Sequence, residues 1–273
     1  MNGAMSATVF KFEFKMHLRS VIIWSAAAVA VILLYASFFP SFSQEAELLN
    51  DLISRLPREL VTAFGMGGVN LATVLGYFGF IYSFLQVLLA VQAAHYGLGL
   101  VSVEEREWTA DFLLTKPVTR SQIMTSKLLA VLSGLALTQI AVWAGTFACL
   151  EAFKGEQTYD VTVLVWLLLG LIPFQLVFLT VGLVISLLVG RLRNVTPYAL
   201  GLAFGMYVLS AFGGMLGENI LEKITPFKHF EAAYLLEHGT FDLPLVSLSV
   251  VAILISVAVS YPLYIRRDIP AVT

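Results

Sequence analysis

The chain has 273 residues, of which 59% are hydrophobic and only 12% charged, with a formal net charge of -2. A soluble domain carries about a quarter of its residues as charges to solvate its surface, so this composition, with its mean hydropathy of +0.86, excludes a water-soluble globule. Near-neutrality gives no sign of a nucleic-acid partner. The single cysteine, Cys149 in an apolar run, supplies neither an intrachain disulfide nor a Cys-based metal site.

The first segment, from Phe10 to Arg19, is basic and aromatic. Lys11, Lys15 and Arg19 fall four apart, on one stripe of a helix, whereas Phe10, Phe12 and Phe14 alternate with polar residues as in a strand. A basic aromatic stretch beside an apolar run favours an interfacial helix over 9–20. The run 21–40 is long for a signal core and has no clear small-x-small cleavage site after it, so a span is expected rather than a cleaved leader. A segment that is partly helical from Gln44 to Leu60 and turns through Gly65-Met66-Gly67-Gly68 leads to further apolar runs. These cover 71–103, 128–153, 161–190, 197–216 and 244–265. Each reaches the roughly 20 residues that a crossing helix needs. Continuous apolarity without period-2 alternation leaves helices, since lipid offers the backbone no partners and a closed barrel alternates. The expected fold is all-α: one polytopic membrane domain over 1–273 with about six transmembrane helices. Between the last two runs, residues 218–243 mix apolar and charged side chains and are expected to rest on the membrane surface.

Cation bias sets the orientation. With the N-terminus inside, the inner segments hold Lys11, Lys15, Arg19, Arg106, Lys116, Arg120, Lys127, Arg191, Arg193, Arg266 and Arg267, against Arg55, Arg58, Lys154, Lys223 and Lys228 outside. Both termini are therefore expected in the cytoplasm.

The apolar runs are nearly free of ionisable groups, His95 being the exception, which argues against a proton-driven relay. His95 reads as a polar anchor or interhelix hydrogen-bonder rather than a proton site. Gln86, Gln92, Gln139 and Gln175 form a candidate polar path with it, and hydrogen bonding between helices is an equally good account. Gly201, Gly205, Gly213 and Gly217 lie four or eight apart and make a small-residue face for close helix packing, within the chain or at a subunit interface. No zinc-protease helix, serine elbow or phosphate loop occurs, so neither a catalytic site nor a metal site is expected in this chain.

The segment from Glu104 to Lys127 is a charged insert that the cation count places in the cytoplasm. Thr109 to Thr115 can form a short helix that Pro117 ends, and Thr119 with Gln122 makes a capping box for a new helix. Trp108, Phe112 and Leu113 then stand beside carboxylates, as a docking surface or as an amphipathic loop on lipid headgroups.

The pattern formed by Glu105, Thr109, Phe112, Leu113, Leu114, Pro117, Val118, Arg120, Ile123 and Lys127 resembles the permeases of type-2 ABC (ATP-binding-cassette) transporters. The similarity extends over nearly the whole chain. The stretch Phe10 to Arg19 is similar to the family's elbow helix, and Thr225-Pro226-Phe227-Lys228-His229-Phe230 to a motif before its last helix. The resemblance implies that 104–127 is a coupling segment. Glu104, Glu105, Trp108, Thr109, Phe112, Leu113, Pro117 and Arg120 would then meet the ATPase, with Lys116 and Lys127 on lipid phosphate. It further implies an exporter of two permease subunits, identical or homologous, and two ATPase subunits that bind the ATP and magnesium. Such a chain would lie in the plasma membrane, of the bacterial cytoplasmic kind; the resemblance leaves the cargo open, and the apolar spans favour a hydrophobic or amphipathic one. A secondary transporter or channel, and a membrane anchor for another complex, are the alternatives.

Overall fold

A computed structural model of the chain describes residues 2–45, 55–57, 61, 69–107, 119–189, 192, 194–216 and 219–266. There is no strand among the described residues. In order the helices are α1 (Asn2–Ala36), α2 (Phe39–Gln44), α3 (Val74–Glu107), α4 (Arg120–Phe153), α5 (Val161–Leu188), α6 (Thr196–Leu216), α7 (Asn219–Ile224), α8 (Pro226–His229), α9 (Ala232–His238) and α10 (Leu243–Arg266). Six stretches are long and apolar enough to cross a membrane: Ala7–Gln44, Val74–Val101, Arg120–Phe153, Val161–Leu188, Thr196–Gly213 and Leu243–Arg266. The all-α polytopic architecture is as the sequence implies, and six crossings bring the chain back to the face on which it starts.

The N-terminal segment departs from expectation. α1 runs unbroken from Asn2 to Ala36, so no separate elbow over 9–20 precedes the first span. Nothing between Ala4 and Ala36 is a glycine or proline that would break the helix. The alternating phenylalanines are not a strand either, because Phe10 stacks on Phe14 one turn away with centroids 5.9 Å apart.

Helix starts follow the local sequence. Thr119 Oγ1 accepts from the Gln122 backbone N–H at 3.3 Å, and Gln122 Oε1 accepts from the Thr119 N–H at 3.1 Å, completing the capping box before α4. Asp160 caps α5 by accepting from Thr162 N–H at 2.7 Å. The helix and turn expected over 44–68 fall almost entirely outside the described residues.

α1 packs along α4 and α3 along α5, while α6 leans on α3 and α10 on α5; α4 and α5 hardly touch. The closest approach is the crossing of α3 and α5. A methyl group added at Gly97 would collide with the Leu179 carbonyl oxygen, and one at Gly182 would come within 3.0 Å of Ala94 O. Small residues on both sides let the backbones meet, the standard means of tight packing in lipid.

The segment after α6 does not lie on the membrane surface. α7 folds back along α6, so that Thr225 Oγ1 donates to Met206 O at 3.0 Å. Met206 lies ten residues before the end of α6 at Leu216, about 15 Å along a helix and half a bilayer's hydrocarbon depth. There Phe227 packs edge-on against Phe174, Phe178 and Tyr207. Phe230 reaches both Phe174 and Phe241. The aromatic load of 225–230 explains the re-entry: the buried Phe227 and Phe230 rings gain more inside the bundle than at an interface. Polar backbone at this depth needs partners. Gln86 Nε2 supplies one to Phe230 O at 3.0 Å, and the Phe230 N–H donates to Pro226 O. His229 is buried, with Nδ1 2.6 Å from Ser249 Oγ and Nε2 3.2 Å from Lys223 O.

Candidate functional site

Four helices bring their polar side chains together at mid-depth. Gln92 Nε2 on α3 donates to Thr138 Oγ1 on α4 at 2.8 Å. Gln175 Nε2 on α5 donates to Gln92 Oε1 at 3.2 Å, and Gln139 Nε2 on α4 donates to Gln175 Oε1 at 2.8 Å. Ser25 Oγ on α1 donates to Thr138 Oγ1 at 3.3 Å. All but Ser25 are buried. Buried among apolar helices, each amide has to find a partner on a neighbouring helix. The result is a relay of three amides that ties α3, α4 and α5 together.

The relay continues toward the end of the bundle where α3 leaves and α4 begins. One turn along α3 from Gln92, the Tyr96 hydroxyl donates to Ser20 Oγ at 3.2 Å. The His17 ring lies against Tyr96 with centroids 5.5 Å apart, and His95 flanks the same ring at 6.3 Å. His17 Nε2 is 4.0 Å from the Glu13 carboxylate, and Glu13 pairs with Lys127 Nζ at 3.2 Å. Lys127 also donates to Leu100 O at 3.0 Å. Its residual exposure is 4% and that of Glu13 is 8%. A charge pair this deep persists only because it is both paired and hydrogen-bonded.

Sequence reasoning missed Glu13 and His17 and misplaced Lys127. Lys127 does not reach lipid phosphate, because the start of α4 packs against α1 and turns it inward. The signal for the other two was present. Glu13, His17 and Val21 are spaced by four, and the row continues through Ala28 and Ile32, which are all but fully buried. Attention to the basic stripe of Lys11, Lys15 and Arg19 hid it.

Of the expected polar path, the structure joins Gln92, Gln139 and Gln175, sets His95 beside the relay, and sends Gln86 to the re-entrant segment. Of the expected docking residues, Glu104 and Glu105 lie in the last turn of α3. Trp108, Thr109, Phe112, Leu113 and Pro117 lie outside the described residues. Arg120, half-buried in the first turn of α4, donates from Nη1 to Ile265 O at the end of α10, at 3.1 Å. Beside it Thr125 Oγ1 is 2.8 Å from the Tyr261 hydroxyl. The start of α4 is therefore fastened both to α1, through Lys127, and to α10.

The glycine row on α6 is not spent on packing within the chain at Gly201 and Gly205, where an added methyl would meet nothing within 4 Å. Gly213 is covered by the Leu221 side chain at 3.2 Å, and Gly217 lies outside the described residues.

Because α4 and α5 diverge, a cleft of about 560 Å³ opens between them. Ile140 and Trp143 from α4 and Ile172 and Leu176 from α5 line it, and Gln139 and Gln175 stand at its polar end. Gln139 Oε1, at the end of the relay, is buried without a hydrogen-bond partner. Among the described residues no group of three His, Cys, Asp or Glu side chains is placed to hold a metal ion.

Six apolar helices, a polar interior and a re-entrant segment define a polytopic membrane protein. Residues 7–261 match the family model described as the C-terminal domain of the multidrug efflux system permease Rv1217c. The chain belongs to that family, and is thus a permease of the efflux type. Comparison with curated proteins and with solved structures gives no match.

Proposed function

We propose that the chain is the membrane-spanning permease subunit of an ATP-driven ABC exporter. A separate ATPase subunit, in two copies, would hydrolyse ATP with its magnesium, and a second permease, the same or homologous, would complete the transporter. Both termini and the 104–127 segment face the cytoplasm, as the cation bias requires. The observation that carries this proposal is the fastening of the start of α4. Arg120 grips the end of α10 and Lys127 grips Glu13 on α1. A push on the segment that precedes Thr119 is therefore passed to three helices at once, which is what a coupling element has to do. The loop pattern and the efflux-permease family support the same conclusion.

Charge reversal tests it. Glu105→Arg or Arg120→Glu should abolish ATP-dependent efflux from cells while the chain still inserts and accumulates normally. Transport that survives both changes removes the docking assignment.

The Glu13–His17–Lys127 cluster, with Glu13 and Lys127 buried, favours one other reading, a secondary transporter driven by protons, since titratable groups inside a bundle are what such machines need. Efflux that stops on collapse of the proton gradient but persists after ATP depletion would select it. Co-purification of a small ATPase with the chain would select the ABC exporter.

A further inference from the structure

We propose that α3, α6 and the re-entrant α8–α9 segment form one wall of a water-filled path in the membrane, which charged, hydrophilic solutes of either sign enter. The Lys228–Glu231 pair stands in that wall, in contact with the water. Ser83 and Gln86 on α3 and Tyr207 and Ser210 on α6 converge with Lys228 and Glu231 on a pocket of about 40 Å³. One water needs about 10–15 Å³ and two to four polar partners, so the pocket has room for about three. It lies deep. Tyr207 and Ser210 stand nine and six residues before the end of α6 at Leu216, and Ser83 and Gln86 stand nine and twelve residues after the start of α3 at Val74. At 1.5 Å per residue, both helices place the pocket about 9–18 Å below the end of the bundle where α3 begins.

Lys228 Nζ pairs with Glu231 Oε1 at 2.8 Å, yet the two side chains keep 14% and 33% of their surface exposed. What meets that surface is lipid, a second polypeptide or water. Lipid is disfavoured, because ionised side chains at membrane depth face a bundle interior or a water-filled cavity, and here hydroxyls and an amide surround the pair. The cleft between α4 and α5 is the contrast, since no Asp, Glu, Lys or Arg lines it. A second polypeptide packed dry on the wall would have to supply partners for every one of these polar side chains. Water supplies them without a matching surface. Because the pair sums to zero charge, the path does not select between cations and anions. The second permease of the proposed exporter closes the wall against lipid, and to that extent the inference rests on that reading.

Cysteine reactivity tests the path, in isolated, leaky membranes from cells that express the full chain. In a Cys149→Ala background, Ser83→Cys and Ser210→Cys exchange only oxygen for sulfur at half-buried positions. Ile140→Cys and Leu254→Cys are the lipid-facing comparison, at positions 64% and 63% exposed midway along α4 and α10. The probes are two methanethiosulfonates that stay out of lipid, the cationic trimethylammonium-ethyl and the anionic sulfonatoethyl reagent. Both should modify Ser83→Cys and Ser210→Cys, at rates alike within about threefold, as a solvated neutral pair implies. The lipid-facing positions should react about a hundredfold more slowly, the penalty on a charge at the centre of a span. Glu231→Gln keeps an acceptor for Lys228 but leaves its charge unbalanced. At Ser210→Cys it should raise the ratio of anionic to cationic rates about fivefold, the effect of a unit charge about 4 Å away in water. The proposal is overturned if Ser83→Cys and Ser210→Cys react as slowly as the lipid-facing positions, which would mark lipid or a dry second copy on the wall. It is also overturned if all four positions react alike, or if Glu231→Gln leaves the ratio unchanged. The charge-reversal test reads ATP coupling and not water, so a path without coupling and coupling with the path elsewhere are separate results.

Discussion

α3 and α10 are both spanning helices, and α10 is the more apolar of the two, yet they occupy opposite environments. In the most apolar stretch of α3, 72% of residues are buried, against 11% in that of α10. In a soluble protein the order would be reversed. In a bilayer the hydrophobic effect does not sort one apolar helix from another, because lipid tails are as apolar as leucine. What draws a helix inward is its polar content, and α3 carries Gln86, Gln92 and His95 where α10, short of its terminal Arg266, offers only serine and tyrosine hydroxyls. Small residues then decide how closely the inner helices approach. The two glycine rows repeat the lesson, since Gly97 and Gly182 sit in a crossing while Gly201 and Gly205 look into open space.

The largest test of this contrast is a pair of matched substitutions. Gly97→Leu should destabilise the chain by about 3 kcal/mol, the upper range for forced overpacking, and show as loss of monodisperse protein and a lowered melting temperature in detergent. Gly201→Leu should leave the melting temperature of the single chain within error. Equal effects would mean that the α6 row is packed after all.

Next in size is the buried pair. Lys127→Met strands the Glu13 carboxylate and should lower stability by about 3 kcal/mol. Adding Glu13→Leu should restore most of that loss, because no buried charge then remains. A strictly additive double variant would show that Glu13 and Lys127 are solvated rather than coupled.

Gln86→Leu removes the partner of Phe230 O at half-membrane depth. A cost of about 2 kcal/mol is expected, together with faster proteolysis within 219–242 than elsewhere. Protection equal to that of the unaltered chain would place the re-entrant segment at the surface.

Much of the architecture was legible because it rests on local rules. Runs of apolar residues mark the spans through length alone, and the Thr119–Gln122 box marks the start of α4 through four residues of contiguous sequence. The candidate site was half legible. Glutamines within apolar runs had to find partners, so Gln92, Gln139 and Gln175 could be picked out, but which of them meet could not. Gln86 has the same chemistry and went to a different place. Glu13 and His17 were overlooked because a charged residue near a terminus is ordinarily solvated, and nothing within α1 alone says that α4 will cover it. The re-entry of 219–242 was misread for a similar reason: a mixed apolar and charged segment fits a surface as well as a cavity until the aromatic pocket formed by α5, α6 and Phe241 is known.

By itself, then, the sequence determined that this chain lives in lipid, crosses it with six helices and folds without strands, because bilayer thickness and backbone hydrogen bonding leave no other solution. Only the tertiary structure decided which helices are interior, where Lys127 points, and that Gln139 ends a relay at an open cleft. Those outcomes depend on contacts between residues far apart in the chain, such as Glu13 with Lys127 and Gln92 with Gln175, and no local pattern encodes a partner that another helix supplies.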